Sequence, residues 1–240
     1  MINVTVWNEF YHENHNDYVR SIFPHGIHGC IAEILAEEPE NFNVTTATLN
    51  DPEQGLPDDV LNNTDVLIWW GHLMHGHVSD ALANKIRNRV YRQGMGFIAL
   101  HSAHMSKPFT RIVGTDGSLL WGDEQKEIVW NILPAHPIAE GIPQYFKLER
   151  EEMYGEPFGI PQPDELVFAS WFEHGNIFRS GCCFYRGVGK VFYFQPGHET
   201  ERSYYDPNVR RIIKNAVHWA APHKLLPGLP ADTNYIHPIV

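Results

Sequence analysis

An α/β fold, built on a doubly wound and mostly parallel sheet with antiparallel strands added in the second half, is what the sequence predicts. Three observations carry this. Strand-like runs at 2–7, 42–49, 65–70 and 96–100 are interspersed with segments of helical period at 26–38 and 79–93, the rhythm of right-handed βαβ crossovers. The run Gly96-Phe97-Ile98-Ala99-Leu100 is wholly apolar, as a strand covered on both faces is. Beyond residue 127, strand-like runs follow one another with turns between them, which marks antiparallel pairing.

Each element has its own warrant. Ile2 to Trp7 alternates apolar and polar residues in a β-branched run, with Asn8, Glu9, His12 and Glu13 at its carboxyl end. Residues 10–24 are polar and aromatic without a period and read as a long loop over a pocket. Ile27, Ile31, Ile34 and Leu35 then recur at helical spacing until Pro39 stops the helix. After the strands at 42–49 and 65–70, the stretch Gly71-His72-Leu73-Met74-His75-Gly76-His77 sets three histidines between and beyond two glycines. Ser79 caps the next helix, Leu82, Ile86 and Val90 form its apolar face, and Gly94 ends it. The central strand 96–100 leads straight into His101-Ser102-Ala103-His104. Open α/β sheets hold their ligands at such carboxyl ends.

In the second half, strands are expected at 127–133, 145–149, 166–171, 181–186 and 191–195, the last two joined by a hairpin turn at Gly187-Val188-Gly189-Lys190. Glu151-Glu152-Met153-Tyr154-Gly155-Glu156 puts carboxylates beside a tyrosine, and Pro196-Gly197-His198-Glu199-Thr200 follows the final strand. Asp206 caps and Pro207 opens a last helix, striped by Val209, Ile212, Ile213, Ala216, Val217 and Ala220. Pro222 stops it, and the Pro-rich tail 223–240 should run over the surface. With neither repeat nor linker, residues 1–240 read as a single domain.

Composition removes several classes of function. A formal charge of −11 at pH 7, from 29 acidic and 18 basic residues, argues against nucleic acid and for a neutral polar small molecule. No apolar run reaches the length of a membrane span and no signal peptide opens the chain, so no membrane partner is expected. The three cysteines, Cys30, Cys182 and Cys183, fall in apolar runs and do not form a disulfide framework, which points to free thiols and a cytoplasmic setting. Trp69, Trp121, Trp130 and Trp171 read as core, while Trp70 at a strand end is placed to stack on a sugar ring. A homo-oligomer is compatible with all of this, and no nucleotide cofactor is expected.

If the strand ends meet at one sheet edge, Glu9, His72, His75, His101, His104 and His198 converge there, with Glu152 and Tyr154 delivered by the second half. Two chemistries fit. Either His72, His101, Glu152 and His198 hold a divalent cation, zinc being suited to imidazole and carboxylate, with Glu199 or Tyr154 orienting a ligand. Or His101, Glu152 and His198 act catalytically without metal, exchanging protons with a substrate bound by Glu9, Trp70, Tyr154 and Glu199.

The stretches Trp69-Trp70-Gly71-His72, Gly94 to Ser102, Glu151 to Glu156 and Gly197-His198-Glu199-Thr200, in that order, resemble the ThuA-like family, named for trehalose utilisation. The resemblance implies a flavodoxin-like sheet similar to class I glutamine amidotransferases. In those enzymes a cysteine stands at the turn after the central strand, whereas this chain has His101 or Ser102 there. Without that thiol, glutamine hydrolysis through a thioester has no nucleophile. What the resemblance implies instead is catabolism of a disaccharide such as trehalose, or of a keto-sugar made from it by a partner dehydrogenase. Two other functions remain open on the sequence: a non-catalytic sugar-binding or regulatory protein, and a metal-dependent amidase or esterase.

Overall fold

The structure, a computed structural model, describes residues 1–223, so the expected surface course of the tail lies outside the described residues from 224 on. β1 (Ile2–Asn8) leads into two short helices, α1 (His12–His15) and α2 (Asp17–Ile22), where the sequence suggests a loop. They are too short to show a period, and α2 is set by its cap, the Asn16 side chain accepting from the N–H groups of Tyr18 and Val19. α3 (Gly26–Leu35) and β2 (Phe42–Thr48) follow as expected. Before β3 (Val66–Trp70) comes an unforeseen helix, α4 (Asp58–Asn63), whose one fully buried apolar residue, Leu61, gives no pattern to read.

Ser79 caps α5 (Asp80–Asn88) by accepting from Leu82 N–H, and β4 (Gly96–Leu100) is the central strand. Another helix, α6 (Lys107–Val113), lies where the sequence pattern is weak; Ser106 caps it and Pro108 sits in its first turn. Then come β5 (Leu120–Asn131), β6 (Tyr145–Gly155), β7 (Glu165–Phe172), β8 (Ile177–Arg186), β9 (Gly189–Phe194) and the long helix α7 (Pro207–Ala220).

The nine strands of the described residues form one sheet in the order β2-β1-β3-β4-β9-β8-β7-β5-β6. The first five of that order are parallel and the rest antiparallel. Alternation within each strand splits the core. Val4, Val6, Ile68 and Ile98 face α3 and α7, while Leu67, Trp69 and Phe97 face α5 and α6. Gly96 belongs where it is, because a Cβ there would lie 2.7 Å from the Ala220 carbonyl at the end of α7.

β5 and β6 are longer than the sequence suggests, and the extra length matters. Residues 127–130 of β5 pair with both β6 and β7, but residues 120–125 pair with β6 alone. Register shifts between Gly122 and Glu124 and between Gln125 and Glu127 interrupt the ladder of this two-stranded arm. The arm carries Trp121, Glu151, Glu152 and Tyr154. Trp121, Trp130 and Trp171, expected in the core, are exposed here, since among the described residues one face of the antiparallel half has no helix over it.

Candidate functional site

The carboxyl ends of β1, β3, β4 and β9 lie side by side, as parallel pairing requires, and the arm closes over them. His101 is the residue at the turn after β4. It is fully buried and has φ 51°, a left-handed conformation that costs a non-glycine residue energy. Its Nδ1 donates to the Gln195 carbonyl at 2.9 Å, which directs Nε2 towards Glu152 Oε2, 3.0 Å away, and the Tyr154 hydroxyl, 3.4 Å away. Burial works to lower the His101 pKa, but the hydrogen bond and charge of Glu152 outweigh it and hold the imidazole at about 9.

His198 follows β9 on a loop that needs Gly197 at φ 132°, where a Cβ would strike the Tyr204 ring. Glu151 fixes this loop: its carboxylate accepts from Gly197 N–H at 2.9 Å, from His198 N–H at 3.1 Å and from the Ser203 hydroxyl at 2.5 Å. Thr200 Oγ1 donates to Glu201 Oε1 and shares a hydrogen bond with His198 Nδ1 at 2.7 Å, and the Thr200 N–H also reaches Nδ1, at 3.4 Å. That leaves Nε2 of His198 facing Glu199 Oε2 at 3.4 Å. Burial lowers the His198 pKa and the neighbouring His101 lowers it further.

Glu199 is the hub of the remaining groups. It accepts from His72 Nδ1 at 3.0 Å, and His12 Nδ1 lies 3.4 Å from its other oxygen. Burial works to raise its pKa, but the His72 hydrogen bond and the surrounding imidazoles hold it down at about 2. Nitrogen and oxygen atoms of His12, His72 and Glu199 come within 4.8 Å of one another, and so do those of His101, His198 and Glu199. Glu152 falls outside both groups of ligand atoms. His12 is the member missing from the expected set, and its signal was the Glu9-x-x-His12 spacing just past β1.

Two expected ligand-binding residues hold loops instead. Glu9 is buried, and its carboxylate accepts from the N–H groups of His72, Leu73 and Met74 at 2.7, 2.9 and 2.9 Å, bracing the turn that presents His72. Trp70 has no exposed face for a sugar: it is fully buried, and its indole N–H donates to the Gly197 carbonyl at 3.0 Å. His104 turns inward and donates to the Gly117 carbonyl at 2.6 Å.

A cavity of about 300 Å³ opens beside this cluster, lined by His72, Ser102, Glu152, Tyr154, Met105 and Trp121 among others. Its floor is polar and its rim apolar, with Trp121 71% exposed. Burial raises the Tyr154 hydroxyl pKa well above 10, so it stays protonated and shares a hydrogen bond with Ser102 at 3.0 Å. Imidazole, carboxylate and phenol at one mouth can bind a polyhydroxylated molecule and move its protons.

A family model described as ThuA, trehalose utilisation, matches residues 3–220. No curated protein matches the sequence. Among solved structures, a protein described as ThuA-like from Parabacteroides merdae is similar with a TM-score of 0.67 at 16% identity, over 96% of this chain and 94% of that one. A cytoplasmic protein of Salmonella typhimurium is similar with a TM-score of 0.59 at 12% identity, over 92% and 100%. A glutamine amidotransferase of Thermotoga maritima is similar with a TM-score of 0.51 at 13% identity, over 82% and 76%. At these identities the likeness is one of fold.

Proposed function

The chain belongs to the ThuA family, and on that premise we propose that it is an enzyme of carbohydrate catabolism that acts on a disaccharide or keto-sugar in the cavity beside His101. The observation that carries this reading is the Glu152 carboxylate, which lines the cavity while touching an imidazole whose other nitrogen is locked to a backbone carbonyl. A carboxylate so placed takes a proton from a carbon that a neighbouring ketone has made acidic, and the sugar–oxygen bond one carbon further on can then break. Tyr154, held protonated, donates to an oxygen of the sugar, and His198 completes the site from the β9 side. Trp121 at the rim offers the stacking face that Trp70 does not. None of the cysteines lies here: Cys30 is on α3, and Cys182 and Cys183 are on β8. Their free, buried thiols favour a cytoplasmic setting.

Turnover of a keto-disaccharide by the purified protein, followed as release of free monosaccharide, tests the reading. E152Q should lower kcat by at least roughly 100-fold, the scale of a lost general base, with the melting temperature retained. An unmodified protein that binds the sugar but releases nothing would refute the enzyme and leave a sugar-binding protein.

A further inference from the structure

We infer that His101 Nε2, His198 Nε2 and the Glu199 carboxylate form a divalent-cation site, with an open position towards the cavity and zinc as the ion their chemistry suits. The inference goes beyond the proposed reaction and stands on ligand geometry alone. In both histidines the other ring nitrogen is occupied, by the Gln195 carbonyl in one and by the Thr200 hydroxyl in the other. This is how metal-ligating imidazoles are held, with one ring nitrogen fixed and the other aimed at the ion, which at His101 would displace the proton that Nε2 shares with Glu152. The three ligand atoms lie within 4.8 Å of one another, and all three residues are buried.

Spacing separates an ion site from a plain hydrogen bond. An N–H···O bond settles near roughly 2.9 Å, whereas ligands about 2.0–2.2 Å from a tetrahedral ion stand about 3.3–3.6 Å apart. His198 Nε2 and Glu199 Oε2 are 3.4 Å apart, the length of a tetrahedral edge. Charge agrees as well. Glu152 and Glu199 bring two carboxylates to one cluster of imidazoles, and no Lys or Arg pairs with either carboxylate among the described residues. Two imidazoles and a glutamate are a donor set that binds zinc while leaving a position for water or a substrate oxygen. A second grouping, His136, Glu165 and Cys183, has a sulfur ligand and lies away from the cavity, which makes it a useful control.

The test is metal content of the full chain, purified without chelator, then loaded with Zn²⁺ and dialysed. About one ion per chain and a raised melting temperature are expected, with a loss of at least tenfold in affinity in H198A and in E199Q and no loss in H136A. Should either variant fail to fold, the unmodified protein loaded with Co²⁺ answers instead: tetrahedral d–d bands without sulfur charge-transfer absorption support the site. No stoichiometric ion, retention in folded H198A, loss in H136A, or a cobalt–sulfur band would each overturn it. Sugar turnover is read separately, so an ion without turnover sinks only the proposed reaction, and turnover without an ion sinks only this site.

Discussion

Single side chains in this pocket are tuned by what they are packed against. His104 is the clearest case: burial pushes its pKa down to about 3, and its Nδ1 is committed to the Gly117 carbonyl. The unfolded chain takes up this proton below about pH 6.5, while the folded protein refuses it until about pH 3. Stability therefore falls as pH drops through that window. H104Q, which keeps a donor for Gly117 and cannot charge, should flatten the fall in urea-unfolding free energy between pH 6.5 and 4; an unchanged slope would show that other groups govern it. His101 and His198 were legible in the sequence because each ends a strand-like run, and strand ends are where parallel sheets gather chemistry. Trp70 misled for a related reason. The same strand end that exposes a residue to the pocket can turn its neighbour into the core, and the face is fixed by register, which a lone apolar run does not reveal.

Among the elements, the loops that present His72 and His198 take their shape from carboxylates planted elsewhere, Glu9 just beyond β1 and Glu151 on β6. Three loop N–H groups donate to the buried Glu9 carboxylate, and a hydrogen bond to a charged group contributes about 1.5–3 kcal/mol. E9Q retains one acceptor oxygen and turns an amide NH2 donor on the loop, so a loss on the order of 2 kcal/mol in urea unfolding is expected, with faster amide exchange at residues 72–74. Unaltered exchange there would mean the turn holds itself. The parallel strands and the helices α3, α5 and α7 were readable from period and caps. The arm of β5 and β6 was not, because Gly122-Asp123-Glu124-Gln125-Lys126 is polar and bulged and buries little, so strand pairing there leaves no hydrophobic alternation.

Taken as a whole, the molecule is a sheet with apolar layers on both faces, and its thiols sit within those layers. Burial pushes the Cys30 thiol up to about 11 and raises those of Cys182 and Cys183 further. Native protein should label with a thiol reagent only as fast as it opens, in step with unfolding in urea; rapid reaction of the adjacent pair would contradict their place in β8. The strand order has one more consequence, and it concerns time. β4 is completed early in synthesis, yet its neighbour β9 is made only after all of β5 to β8, and Glu151 and Glu152 arrive between the two. A nascent chain thus carries His72 and His101 on a half-built sheet with an open edge, and Gln195 and Glu199, which bond the Nδ1 atoms of His101 and His72, follow only with the last strand beside β4. The cluster of His101, His198 and Glu199 and the finished sheet therefore come into being in the same step.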